Sequence, residues 1–135
     1  NIIGCKDSSY NLFENLKLPN FLIFPGSEKK LLKGLELGNS GVISAICNVT
    51  ATLARKVFDD FEKKELQTQN DKLISVREVF DKYNLISALH SYMSTKDDNF
   101  KNLLPPLVLL KSKETEDLIN KLNNLKFVIK NNLAA

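Results

Sequence analysis

The chain has 135 residues, a formal net charge of +3, 43% hydrophobic and 26% charged residues. This length and composition fit one globular domain of ordinary core size. The 19 basic and 16 acidic residues are interspersed, which argues against a nucleic-acid groove. No apolar run reaches the length of a membrane span, and no signal peptide is visible. We therefore expect a cytoplasmic protein that binds neither nucleic acid nor membrane.

Three short apolar segments in the first 50 residues are typical of strands buried on both faces, residues 2–5, 21–24 and 41–46. A short helix is expected before Pro19. A second is expected over residues 28–37, with Ser27 as its N-cap and Gly38 just past its C-terminus. Alternating strands and helices with short connections predict an α/β fold with parallel pairing and right-handed crossovers.

Beyond Thr50 the pattern is helical only. Apolar side chains recur at helical spacing in three segments, residues 51–64, 73–83 and 85–93. Residues 103–110 contain two adjacent prolines and are expected to form an extended apolar strap. Ser112 is expected to cap a last helix, which carries acidic residues in its first turn.

The predicted sheet has two open edges, and its first strand lies at the beginning of a sequence that starts with Asn1. Sheet edges of the buried type are seldom left uncovered. We therefore expect further strands to complete the sheet, supplied by an N-terminal segment or by another chain.

Polar residues stand at the C-terminal end of each predicted strand, in the segments 6–9, 25–28 and 43–45. Because the strand C-termini of α/β proteins carry the chemistry, these residues would meet at one face. Burial of an amine beside apolar side chains favours its neutral form, which can make a Schiff base with a carbonyl substrate. Lys6 is the candidate for that reaction. Its alternative role is to anchor a loop or to pair with a carboxylate.

Other chemistry is not indicated. Cys5 and Cys47 lie in apolar surroundings and are expected to be reduced core thiols. His90 lies on a predicted helix without a second ligand nearby in sequence, and neither a dinucleotide motif nor a P-loop occurs. We therefore predict no metal and no cofactor.

The stretches IIGCKDSS, FLIFPGSE and LELGNSGVISAICNV resemble strands six, seven and eight of the dihydrodipicolinate synthase / N-acetylneuraminate lyase superfamily. These enzymes are pyruvate-dependent class I aldolases with a TIM (β/α)8 barrel. The stretches YNLISALHSYMSTK and LLPPLVLLKSKETEDLINKL resemble the extra C-terminal helices that follow the barrel. The resemblance implies that residues 1–65 are the last three βα units of a barrel and that residues 66–135 are a C-terminal helical extension.

The resemblance also implies roles for single residues. Lys6 matches the lysine that forms a Schiff base with pyruvate or with the pyruvyl part of a 2-keto acid. Ile43 matches the residue that packs against the bound pyruvyl group, beside Ser44 and Ala45. The hydroxylated end of the substrate would be contacted by four further residues, Ser8, Gly26, Ser27 and Glu28. Cys5 is a less usual residue before the lysine.

Two parts of the family's site have no match in this sequence: the loop that binds the carboxylate of pyruvate and the proton-relay tyrosine. None of Tyr10, Tyr83 and Tyr92 falls at the matching place. A TIM barrel takes about 250 residues. We therefore expect this chain to be the C-terminal half of an enzyme, inactive without the N-terminal half of the barrel, and part of a homo-oligomer (dimer or tetramer).

The expected activity is that of a class I aldolase or lyase that handles pyruvate or a 2-keto-3-deoxy sugar acid. One alternative is dihydrodipicolinate synthase, which condenses pyruvate with aspartate semialdehyde. An alternative from another class is a non-catalytic helical interaction module that keeps the barrel strands as a scaffold.

Overall fold

The computed structural model describes residues 1–9 and 11–129. Two compact units are present: Asn1–Ile74, and a second that begins at Ser75. The strands are β1 (Gly4–Asp7) and β2 (Leu22–Pro25). The α-helices are α1 (Leu12–Asn15), α2 (Leu31–Glu36), α3 (Cys47–Glu62), α4 (Asn70–Phe80), α5 (Leu85–Met93) and α6 (Ser112–Asn124). None of the helices in the described part of the chain is both long enough and apolar enough to cross a membrane.

In the first unit, β1 and β2 pair in parallel, with Lys6 opposite Phe24 and Asp7 opposite Pro25. The parallel pairing agrees with the sequence pattern, but β1 begins two residues later than predicted. Ile2 is 85% exposed and Ile3 is 68% exposed, so the prediction that they are buried is wrong. A continuous apolar run leads to burial only where neighbouring strands and helices cover both faces.

The predicted third strand, residues 41–46, is absent from the sheet, which has two strands in the described part of the chain. The segment still runs beside β2: Ser40 N–H donates to Ile23 O at 3.0 Å, and Ile43 N–H donates to Pro25 O at 3.1 Å. A parallel ladder advances equally on both strands. Here three residues on one side span two on the other, as in a bulge. Gly41, with φ of +142°, lies in this span, so no regular ladder forms.

The region predicted as one helix over residues 28–37 is divided. A 3-10 turn spans Glu28–Lys30, and α2 follows directly. Gly38 has φ of +85°, which confirms its prediction as the glycine just past the helix end. A core of buried side chains joins α2, α3 and the start of α4, formed by Leu31, Leu35, Ala54, Val57 and Leu73.

The second unit is helical, as the apolar periodicity predicts. Asn84 caps α5, because its side chain accepts a hydrogen bond from Ser87 N–H at 3.1 Å. The Tyr92 ring lies 6.0 Å from the Phe80 ring and 6.1 Å from the Phe127 ring, centroid to centroid. Leu118 and Leu122 of α6 are fully buried.

The strap and the last helix follow the predictions with one shift. Residues 102–111 contain no regular helix or strand, and Leu110 N–H donates to Ser91 Oγ at 2.9 Å. The N-cap of α6 is Lys111 rather than Ser112. Glu114 Oε2 accepts from Lys111 N–H at 3.1 Å, so a carboxylate satisfies the N-cap donor.

Candidate functional site

Lys6 lies within β1 rather than just after it. It pairs with Phe24 of β2 in register, and its side chain is exposed. The apolar enclosure expected around its amine is not formed by residues 1–9 and 11–129. The physical reason is that the two-stranded sheet and the irregular segment beside it have no further strand, in the described part of the chain, that could enclose the amine.

Ser8 and Gly26 are brought into contact at the C-terminal ends of the two strands. Gly26 N–H donates to Asp7 O at 2.8 Å. A methyl group added at Gly26 would lie 3.0 Å from that oxygen and 3.4 Å from Ser8 Oγ. The loop after β2 therefore crosses the loop after β1 at a distance that only glycine allows without displacement.

Asp7 is a buried residue that the site prediction did not select. Its Oδ1 accepts from Ser9 N–H at 2.8 Å and from Ser9 Oγ at 2.6 Å, and its Oδ2 accepts from Phe13 N–H at 2.9 Å. Burial alone would raise the pKa of Asp7. The Ser9 hydroxyl, the two backbone N–H groups and the charge of Lys30 outweigh it and hold that pKa below its ordinary value. The sequence signal was the Asp-x-Ser turn pattern.

This arrangement makes Asp7 the anchor of the loop between β1 and α1. Lys30 supports the same loop: its Nζ donates to Ser9 O at 3.1 Å and lies 4.8 Å from the centroid of the Phe13 ring. The loop that carries Ser8 is therefore tied to α1 and to the residue just before α2.

Glu28, Ser44 and Cys47 form a second polar group, beside the C-terminal end of β2. Glu28 is 0% exposed, and its Oε2 accepts from Ser44 Oγ at 2.9 Å. Burial, together with the Glu28 carboxyl, raises the pKa of the Cys47 thiol to about 12. Cys5 and Cys47 are both free and half-buried.

The other predicted site residues lie on loops and turns. Ile43 is 48% exposed and is held to β2 through its own N–H. Ala45 O accepts from Asn48 Nδ2 at 2.8 Å. Ser27 O accepts from Lys30 N–H at 3.0 Å in the 3-10 turn.

Tyr10 lies outside the described residues. In the second unit, Tyr83 hydrogen-bonds with Asp117 and Lys121, and Tyr92 is a core residue. Among the described residues, no three His, Cys, Asp or Glu side chains are grouped closely enough to hold a metal ion.

Comparisons with known proteins identify the family of this chain. The sequence matches the model of the Dihydrodipicolinate synthetase family over residues 1–125, and the chain belongs to this family. It is 30% identical, over 122 residues, to an uncharacterized DapA-like lyase of Chloroflexus aurantiacus. That alignment covers 85% of this chain and 40% of the relative, so the chain spans less than half the length of the curated protein it matches.

Solved structures of TIM-barrel enzymes share the fold of this chain. A variant of the 2-keto-3-deoxygluconate aldolase of Sulfolobus solfataricus matches with a TM-score of 0.79 and 19% identity, over 92% of this chain and 45% of the aldolase. Dihydrodipicolinate synthase from Cyanidioschyzon merolae, with lysine bound, matches with a TM-score of 0.77 and 15% identity, over 94% and 46% of the two chains. At these identities the likeness extends to the fold alone.

Proposed function

We propose that this chain is the part of a pyruvate-dependent class I aldolase that carries the Schiff-base lysine. Its substrate would be pyruvate or a 2-keto-3-deoxy sugar acid. Lys6 is the nucleophile: its neutral amine attacks the keto carbon, water leaves, and the protonated imine accepts electrons from the neighbouring carbon. That carbon can then be joined to, or released from, an aldehyde.

One observation carries the proposal: Lys6 lies near the C-terminal end of β1, in register with Phe24 of β2, in a chain that the family matches over residues 1–125. The next segment places Ile43 beside Pro25 through a 3.1 Å backbone hydrogen bond. An amine, an apolar side chain and hydroxyl groups thus lie at or near the C-terminal ends of consecutive strand-like segments, where α/β proteins place their sites.

The remaining residues divide into two sides. The pyruvyl side would consist of Ile43, Ser44 and Ala45. The side that meets the polar end of the substrate would consist of Ser8, Gly26 and Ser27, with Glu28 buried behind them. Gly26 has the clearest structural requirement in this set, because a side chain there would press on Asp7 O and on Ser8.

We further propose that residues 1–65 are the last three βα units of the barrel and that residues 66–135 extend it, with residues 130–135 outside the described part. The exposure of Lys6 in β1, and of Ile2 and Ile3 just before it, supports a partner that covers this segment. An N-terminal half of the barrel is that partner, and the completed enzyme would work in the cytoplasm as a homo-oligomer.

The test is borohydride trapping with pyruvate, on this chain and on the same chain within a complete barrel, followed by mass spectrometry of the modified peptide. We expect an adduct on Lys6 in the complete barrel. Lys6→Arg keeps the charge but cannot form the imine, so it should give no adduct. Lys33→Arg, at an exposed lysine of α2, should react like the unmodified sequence.

The two enzyme alternatives separate in a second step. Glyceraldehyde and aspartate semialdehyde are offered in turn to the pyruvate-loaded enzyme, and the product is identified. An absence of any adduct on Lys6 in the complete barrel would contradict the aldolase proposal and favour the non-catalytic interaction module.

A further inference from the structure

Glu28 is a buried acidic residue that contacts the turn just before α3. Its side chain is 0% exposed, although acidic side chains are almost never fully buried unless they are paired. Oε2 accepts from Ser44 Oγ at 2.9 Å. Ser44 and Cys47 are the two ends of a turn closed by Cys47 N–H donating to Ser44 O at 3.3 Å. Glu28 therefore holds the first residue of this turn, and the backbone hydrogen bond joins that residue to Cys47.

The turn follows Ile43, whose N–H donates to Pro25 O at the end of β2. In the described part of the chain, the backbone hydrogen bonds between this segment and β2 end at Ile43. A third strand would continue the ladder and fix the following residues through the main chain. The bulge at Gly41 interrupts that ladder. The hydrogen bond from Ser44 Oγ to Glu28 therefore holds the segment just beyond the point where the ladder stops.

We propose that Glu28 is a positioning residue, which holds the turn from Ser44 to Cys47 against the loop after β2 and thereby sets the place of Ile43 in the site. The inference rests on the proposed function, because Ile43 is a wall of the pyruvyl site only if that function is correct. The contact itself is independent of any substrate. A fully buried carboxyl reaches substrate only through the groups it orients.

The thiol of Cys47 lies at the other end of the turn and offers a readout there. Burial, and after it the neighbouring Glu28 carboxyl, raises the pKa of Cys47 to about 12. Cys47 thus reports on the position of Glu28. Cys5, half-buried on β1, is an internal reference in the same unit.

The first experiment measures amide hydrogen exchange by NMR on this chain without substrate. The Ile43 amide bonds to Pro25 O, and the Gly26 amide bonds to Asp7 O. Glu28→Ala should speed exchange at Ile43 by at least about tenfold, the effect of losing one hydrogen bond to a charged group. Exchange at Gly26 should change little. Glu28→Gln keeps a carbonyl that Ser44 can donate to, so it should restore the protection of Ile43.

The second experiment measures the alkylation rate of each cysteine with iodoacetamide at pH 8, resolved by peptide mass spectrometry. Glu28→Gln removes the carboxyl beside the thiol and should speed reaction at Cys47 by about tenfold. The rate at Cys5 should stay constant. Ser44→Ala removes the hydrogen bond to Glu28 and should expose the Ile43 amide while leaving Cys47 slow. If Glu28→Ala fails to fold, the Glu28→Gln and Ser44→Ala pair decides the question.

Three results would overturn the proposal: unchanged exchange at Ile43 in Glu28→Ala, equal acceleration at Ile43 and Gly26, or equal acceleration at both cysteines. The last two indicate general loosening of the unit. These measurements need no pyruvate, so a failure of borohydride trapping would leave them standing. Conversely, trapping of pyruvate on Lys6 together with unchanged exchange at Ile43 in Glu28→Ala would overturn the positioning role of Glu28. The aldolase proposal would then stand.

Discussion

Asp7 Oδ2 accepts a hydrogen bond from the backbone N–H of Phe13 at 2.9 Å, which ties the last residue of β1 to the second residue of α1. The first four N–H groups of a helix have no partner within the helix. Asp7 satisfies one of them from outside, while its other oxygen holds Ser9. The loop that carries Ser8 is therefore built around one buried carboxylate.

Replacement of Asp7 should destabilise the first unit. Asp7→Ala leaves the Phe13 and Ser9 N–H groups without their acceptor, and we expect a loss of about 2–3 kcal/mol in the free energy of unfolding. Urea unfolding followed by circular dichroism measures it. Glu14→Ala, at an exposed position of α1, is the control and should stay within about 0.5 kcal/mol. A loss of the same small size at Asp7 would contradict the anchoring role.

The stability that Asp7 contributes should depend on pH. Its pKa is lowered in the folded chain, so between the folded and unfolded pKa values the unfolded chain binds more protons, and stability rises with pH. The contribution is complete above the unfolded pKa of about 3.9 and is lost as the pH falls through the lower folded pKa. The stability difference between the unmodified chain and Asp7→Asn should therefore shrink from pH 5 to pH 2. A difference that is constant over this range would show that the carboxylate charge contributes nothing.

Substitutions at Gly26 and at Gly38 should both lower the free energy of unfolding, but for different physical reasons. A methyl group at Gly26 would lie 3.0 Å from Asp7 O, and backbone moves less readily than a side chain. We expect Gly26→Ala to cost about 1–3 kcal/mol and to perturb the NMR signals of Ser8. Gly38→Ala has no atom within 4 Å, but φ is +85°, so about 1–2 kcal/mol of backbone strain is expected with the Ser8 signals unchanged. Unchanged Ser8 signals in Gly26→Ala would contradict the close crossing.

In the second unit, Asn84 should stabilise the start of α5. Its side chain accepts from Ser87 N–H at 3.1 Å, and loss of an N-cap of this kind costs about 1 kcal/mol. We expect Asn84→Ala to lower the thermal midpoint of this unit, and Asn84→Asp to preserve it, because aspartate is an equally good N-cap. Asn124→Ala, at the exposed C-terminal end of α6, is the control. Equal losses in the alanine and aspartate variants would show that the cap is not the cause.

The sequence alone determined the features that depend on local chemistry. Side-chain periodicity and turn preferences act over a few neighbouring residues. They predict the parallel order of β1 and β2, the apolar stripes of α3 to α6, the glycine end of α2 at Gly38 and the break at Asn84. The family resemblance was also readable there, because it depends on short stretches around Lys6, Gly26 and Gly41.

Only the tertiary structure decided what covers each of these features. The apolar run at Ile2 and Ile3 is exposed because no described neighbour lies over it, and residues 41–46 fail to become a strand because the bulge at Gly41 breaks their register with β2. Glu28, placed by the sequence at an accessible strand end, is buried against Ser44 and Cys47. Burial and register depend on partners that are distant in the chain. The residues next to a position in the sequence do not identify those partners.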